Sequence, residues 1–214
     1  MKQHPAWLLT GLLLFFIWML IQFGQREEVP VSNGQRVIML ELPALDEAGY
    51  DWIAAGIFKN ETGGRVRYLT HWGEGEDFPS FGIGHFIWFP PGVDAPFDEQ
   101  FPAMVEFVSR RVSGDLQPPA WLRELDPLDA PWVSKQAFDD ARSTMQMSEL
   151  RDWLDVTRRY QAMFIVHKFI NRINNIPLDV DKKRYYFGII EQIAQTPEGL
   201  FALMDYYNFK GLGT

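Results

Sequence analysis

Between Glu61 and Trp88 the chain reads ETGGRVRYLTHWGEGEDFPSFGIGHFIW. This segment holds four carboxylates (Glu61, Glu74, Glu76 and Asp77), two of the four histidines (His71 and His85) and six glycines. Carboxylates and imidazoles gathered so closely suit general acid–base work, because local surroundings shift both toward neutral pH. The same side chains include the N and O donors of a metal site. A third reading is architectural: a twisted hairpin with solvated acidic turns. On that reading the aromatics (Trp72, Phe78, Phe81, Phe86, Trp88 and Phe89) either line a sugar-binding cleft or pack against one another.

Glu61 makes the sharpest case. It closes a helical pattern that stops at Gly63-Gly64, so its carboxylate faces the negative end of the helix dipole, which disfavours ionisation. Apolar neighbours such as Phe58 or Trp72 would push the same way by desolvation. A carboxyl held protonated near neutral pH is what protonating a glycosidic oxygen requires. The plain alternative is an exposed glutamate in a last helical turn. No His-Glu-x-x-His or comparable spacing organises the acids and histidines into a metal site, so neither metal nor cofactor is expected. With no cysteine in the chain, a thiol nucleophile and thiolate-bound zinc are excluded. His167 falls on a long apolar helical stripe, where core burial is expected. Arg65 and Arg67 alternate with Val66, which has them face solvent or touch carboxylates of a substrate. Trp121 and Trp132 either line a groove or pack under a long loop.

These residues depend on elements that the sequence also marks. Asp46 is a helix cap, and Tyr50, Ile53, Ala54, Ile57 and Phe58 recur at helical spacing up to the glycine stop. RVRYLTHW and SFGIGHFIWF read as strands joined by GEGEDFP, a small hairpin lobe. Before them, RVIMLELP is a short strand or an extended lead-in. A short helix is expected over Phe101–Val112, then a Pro-rich loop. The clearest helix is expected over Ser148–Ile173, with others near Asp181–Gln195 and Pro197–Tyr207, the last capped by Thr196 with Pro197 in its first position. The expected class is α+β, predominantly helical.

A helix ending in Glu61, a hairpin, and then Ser80-Phe81-Gly82-Ile83-Gly84-His85 resembles the active-site region of phage-type (T4-like) lysozymes. Those carry a helix-terminal Glu, an Asp and a Thr-Ile-Gly-x-Gly-His strand. The resemblance implies a lysozyme-like fold with Glu61 as general acid. It implies Glu74 in the aspartate's place, with Glu76 and Asp77 close enough to compete, and Ser80 in the threonine's place, holding water. Glu76, Gly82, Gly84, His85 and Asn208 form the implied substrate-binding set, with His85 mainly structural. Asn208 and Gly211 enter through ALMDYYNFKGLG, which is similar to a family helix ending in Phe-Asn-x-Gly-x-Gly. The spacing from Glu61 to Gly82 exceeds the family's by about one short turn, which implies a larger hairpin. The family continues into another helix where this sequence stops at Thr214, which implies a reduced lobe or a truncated sequence. Carboxylates roughly 6.5–9.5 Å apart would favour inversion through water, and about 5–5.5 Å a covalent intermediate. With no second carboxylate in the cleft, a lytic transglycosylase route is implied, one Glu serving as acid and base.

The chain of 214 residues has a net charge of −8 and no Lys/Arg-rich run, which excludes nucleic acid as the expected partner. Ala6–Phe23 (AWLLTGLLLFFIWMLIQF) is an 18-residue run without a charge. As a helix it would span about 27 Å, close to a bilayer core of about 30 Å. Lys2 precedes it, and Glu27 and Glu28 follow, so the bulk of the chain is expected outside the cytoplasm. The expected organisation is an anchor over 1–24 (a cleaved signal peptide being the rival), a linker over 25–43 and a lysozyme-like domain over 44–214. Together these features describe a bacterial inner-membrane protein cleaving β-1,4 bonds of peptidoglycan glycan strands in the periplasm or outside the cell. The competing expectation is a non-catalytic envelope-binding or scaffold protein on the same fold; protein partners and oligomeric state are left open.

Overall fold

Asp46 starts the first helix, α1 (Glu47–Thr62), by accepting a hydrogen bond from the Gly49 N–H at 2.8 Å. Such a cap satisfies one of the four N–H groups that a helix start leaves unpaired. Ile53, Ala54, Ile57 and Phe58 are buried along one face. The helix ends where Gly63 and Gly64 turn left-handed, with φ of 60° and 72°, a region that costs a residue with a Cβ about 1–2 kcal/mol. The computed structural model describes residues 38–210. The expected anchor over Ala6–Phe23 and the residues from Gly211 onward lie outside the described residues. Among the described residues, no helix is long and apolar enough to cross a membrane.

Residues 38–46 are the extended lead-in rather than a strand, tied down where the Leu40 N–H donates to Asn174 Oδ1 at 2.7 Å. After α1 the two expected long strands are replaced by shorter pieces. Val66–Leu69 is a 3-10 turn, and only Thr70–His71 (β1) is strand. SFGIGHFIWF folds back on itself: Ser80–Phe81 (β2) and Phe86–Ile87 (β3) pair antiparallel about the turn Gly82–His85. The reversal follows from backbone conformation, since Gly82 has φ 72° and His85 has φ 46°. The result is a three-stranded sheet, order β1-β2-β3, in place of a simple hairpin.

The chain continues through α2 (Phe101–Ser109), α3 (Ala120–Arg123), α4 (Lys135–Asp140), α5 (Met145–Val156), α6 (Arg158–Asn174), α7 (Val180–Ile193) and α8 (Pro197–Lys210). The described residues are therefore predominantly helical with a small antiparallel sheet, as the sequence pattern implies. Aromatic density in the 61–88 segment serves packing. Phe81, Trp88, Phe101, Trp132 and Phe138 are buried together, with Trp88 stacked on Phe101 at 4.3 Å between centroids. Trp132 is core, and Trp121 packs against it. His167 departs from expectation: it is exposed, with Nε2 2.9 Å from Asn171 Nδ2. The buried face of α6 runs through Gln161, Ala162, Ile165, Val166, Phe169 and Ile173. At about 100° per residue, position 167 points away from it.

The single helix expected over Ser148–Ile173 is broken at Thr157, and the cause is a buried amide. Gln161 Nε2 takes the Leu154 carbonyl at 2.6 Å, the acceptor that the Arg158 N–H would use in an unbroken helix. It also donates to Thr157 Oγ1 at 3.1 Å, while Oε1 accepts from the Ile83 N–H at 2.9 Å. One fully buried side chain thus joins the α5–α6 break to the β2–β3 turn.

α1 lies along α6 on one side and α8 on another. At Gly56 an added Cβ would fall 2.4 Å from the Phe201 ring, so the glycine is a notch that admits α8. Trp52 meets Phe201 edge-on at 5.3 Å, and Asn60 Nδ2 donates to Asp205 Oδ1 at 2.9 Å. Gly199 N–H donates to Thr196 Oγ1 at 3.0 Å, as the cap reading of that helix requires.

Gln161→Leu keeps volume but strands the Ile83 N–H and the Leu154 carbonyl. Each orphaned buried group costs about 1–3 kcal/mol, so urea unfolding should show a loss of about 2–5 kcal/mol. A loss under about 1 kcal/mol would mean the amide does not hold the break and the turn together.

Candidate active site

The end of α1, the 3-10 turn after it and the sheet enclose a cleft of about 460 Å³ lined by Glu61, Thr62, Gly63, Arg65, Tyr68, His71 and His85. Glu61 reaches it from the last turn of α1, with 13 % of its side chain exposed. Beside it, Thr62 is buried and donates from Oγ1 to the Phe58 carbonyl. Glu61 Oε2 is 3.7 Å from His85 Nδ1, close enough for strong electrostatic coupling but beyond ordinary hydrogen-bond distance. The His71 and His85 rings lie nearly parallel, 6.4 Å apart.

Burial pushes the His85 imidazole below the usual histidine range. The Glu61 and Glu76 carboxylates oppose this, and His71 reinforces it. His85 therefore stays neutral near pH 7, able to donate from one ring nitrogen and accept at the other. Its left-handed backbone, unusual for a residue with a Cβ, fixes the ring over the cleft at the end of the β2–β3 turn.

Ser80 occupies β2 opposite His71 on one side and Ile87 on the other. Ser80 is buried and is not among the residues that line the cleft, which His71 reaches from the neighbouring strand. Gly82 admits Gln161: an added Cβ would sit 2.3 Å from its Oε1. Gly82 thus serves the turn and its anchor, and Gly84 belongs to the same turn.

Glu74 is not brought to the cleft. Its side chain is 92 % exposed and pairs with Lys135 Nζ on α4 at 3.2 Å. Glu76 folds over its own loop, accepting from the Gly73 N–H at 3.0 Å, while its carbonyl accepts from Trp72 Nε1 at 2.7 Å. Asn208 lies in the last turn of α8, and its implied companion Gly211 is outside the described residues. Among the described residues, no three acids or histidines converge in a metal-ligating arrangement, and Glu61 is the sole carboxylate lining the cleft.

Arg65, Tyr68 and His71 entered the sequence argument weakly or not at all. Reading 65–72 as a strand separated Arg65 from Tyr68. In a 3-10 turn residues i and i+3 eclipse, and the double glycine before Arg65 was the available signal. Comparison with protein families, characterised proteins and solved structures returned no match.

Because the folded chain binds the His85 proton less readily than the unfolded chain, stability is full above about pH 6.5 and falls as pH drops through the histidine range. His85→Asn, which tolerates the left-handed backbone, should flatten this slope. Urea midpoints at pH 7.5, 6.5 and 5.5 test it, and parallel slopes for the two proteins would refute it.

Proposed function

We propose that this chain cleaves the glycan strand of peptidoglycan, with Glu61 as both acid and base in a lytic-transglycosylase-type reaction. The observation that carries the reading is a largely enclosed carboxylate at the end of a helix. It opens into a cleft that, among the described residues, no second carboxylate lines. The residue in the place of the second acid, Glu74, is turned out to Lys135, which weighs against inverting and covalent routes that need a pair.

In the proposed reaction the Glu61 carboxyl gives its proton to the glycosidic oxygen as the bond to C1 breaks. The resulting carboxylate then takes the proton from the C6 hydroxyl of the same muramoyl sugar. That oxygen closes onto C1 to give a 1,6-anhydro end, and no water is consumed. His85, neutral and 3.7 Å away, stands beside the Glu61 carboxyl without adding a cation that would hold it ionised. His71 forms the sheet-side wall. With the apolar run at Ala6–Phe23 as an inner-membrane anchor, the site would work in the periplasm or outside the cell. A tethered enzyme needs no positive net charge to find an anionic wall, which agrees with −8.

Purified full-length chain should release muropeptides with anhydro ends from isolated peptidoglycan. Glu61→Gln should lower the rate at least about a thousandfold, as loss of the only acid–base group does. Glu74→Gln should stay within about twofold; a loss beyond tenfold would restore a two-carboxylate route. If the folded parent releases nothing, the non-catalytic envelope-binding reading takes its place.

A further inference from the structure

Two guanidinium groups meet at the rim of this cleft. The double glycine delivers the chain into the 3-10 turn with Arg65 as its extended cap, and the Tyr68 N–H closes the turn on the Arg65 carbonyl at 3.0 Å. The Tyr68 hydroxyl accepts from Arg67 Nη2 at 2.8 Å. The Arg67 hydrogen bond and charge, with a smaller part from Arg65, hold the phenol below its ordinary range. One phenol therefore stands beside two cations that would otherwise repel. Arg65 and Tyr68 line the cleft, and the Arg67 guanidinium lies 4.6 Å from the centre of the Tyr68 ring.

Neither arginine has a carboxylate within ion-pair distance among the described residues. Arg159, by contrast, commits its guanidinium to Asp51 and Glu47. On a chain with a net charge of −8, a positive rim beside a single carboxylate is a local reversal of the field. A planar guanidinium with free donors is shaped for a carboxylate.

We propose that Arg65, on the cleft wall with Tyr68 and close to Arg67, is a subsite for a carboxylate carried by the strand in the cleft, so that the site selects muramoyl strands over neutral glycans. The strand's identity rests on the glycan-cleaving reading; the anion site itself does not. Two carboxylates fit: that of the lactyl group and those of the stem peptide.

The test uses full-length Glu61→Gln chain, which binds without turnover, and calorimetry with three probes. They are chitotetraose, a peptide-free tetrasaccharide of alternating N-acetylglucosamine and N-acetylmuramic acid, and the same tetrasaccharide with stem peptides. At least one carboxylate-bearing probe should bind tenfold or more tighter than chitotetraose. Adding Arg65→Gln should remove that preference, so that the carboxylate-bearing probe binds no tighter than chitotetraose, and Arg65→Lys should restore part of it. A preference confined to the peptide-bearing probe assigns the stem peptide; one shared by both assigns the lactyl group. Preference that survives Arg65→Gln, equal binding of all three, or no binding overturns the proposal. If the parent shows Arg65-dependent preference yet releases nothing from peptidoglycan, the cleavage reading fails while the subsite stands.

Discussion

The Gln161 side chain is the constraint on which the cleft geometry turns. An amide with no exposure to solvent must satisfy both of its ends inside the protein. Here one end interrupts a helix and the other captures the Ile83 N–H in the β2–β3 turn. The turn in turn presents His85, with its left-handed backbone, over the end of α1. Gly82 is obligatory because the amide oxygen occupies the space a Cβ would need. The helix break, the glycine and the imidazole are thus one arrangement seen at three places. The acid on α1 is held separately, by its own helix and that helix's packing on α6 and α8.

The electrostatics of the site follow from who is left out as much as from who is present. Glu74 is neutralised at the surface by Lys135, and Glu76 is engaged by its own loop. Within the cleft one carboxylate meets two imidazoles and a guanidinium. On the proposed reading, such a set suits a single proton given and taken back by the same group, and the positive rim suits a strand that carries negative charge.

What the sequence revealed was governed by how local each cause is. The start and stop of α1 were legible because Asp46, Gly63 and Gly64 act on their own neighbours. The same holds for Thr196 at the start of α8. Glu61 at a helix end was legible for that reason, whereas the turn that carries His85 was read as part of a strand. The break at Thr157 was not legible, because it depends on an amide four residues on and on a turn 78 residues away. Fate of the acids was equally hidden, since Lys135 sits in a short helix beyond the Pro-rich loop, in a stretch with no marked element of its own. Arg65 and Tyr68 were lost to a choice of period: the alternation of a strand and the threefold repeat of a 3-10 turn differ little over four residues. His167 was misplaced because an apolar stripe read over 26 positions does not survive the break, which resets the phase of the buried face.

The notch at Gly56 also has a meaning in time. Phe201 fills it and Asp205 holds Asn60, next to the acid, so the support behind Glu61 comes from α8, some 140 residues later in synthesis. A chain emerging from the ribosome in order carries its acid early and its brace late. Until α8 docks, the helix that bears Glu61 has an open flank, and the proposed activity has no finished scaffold.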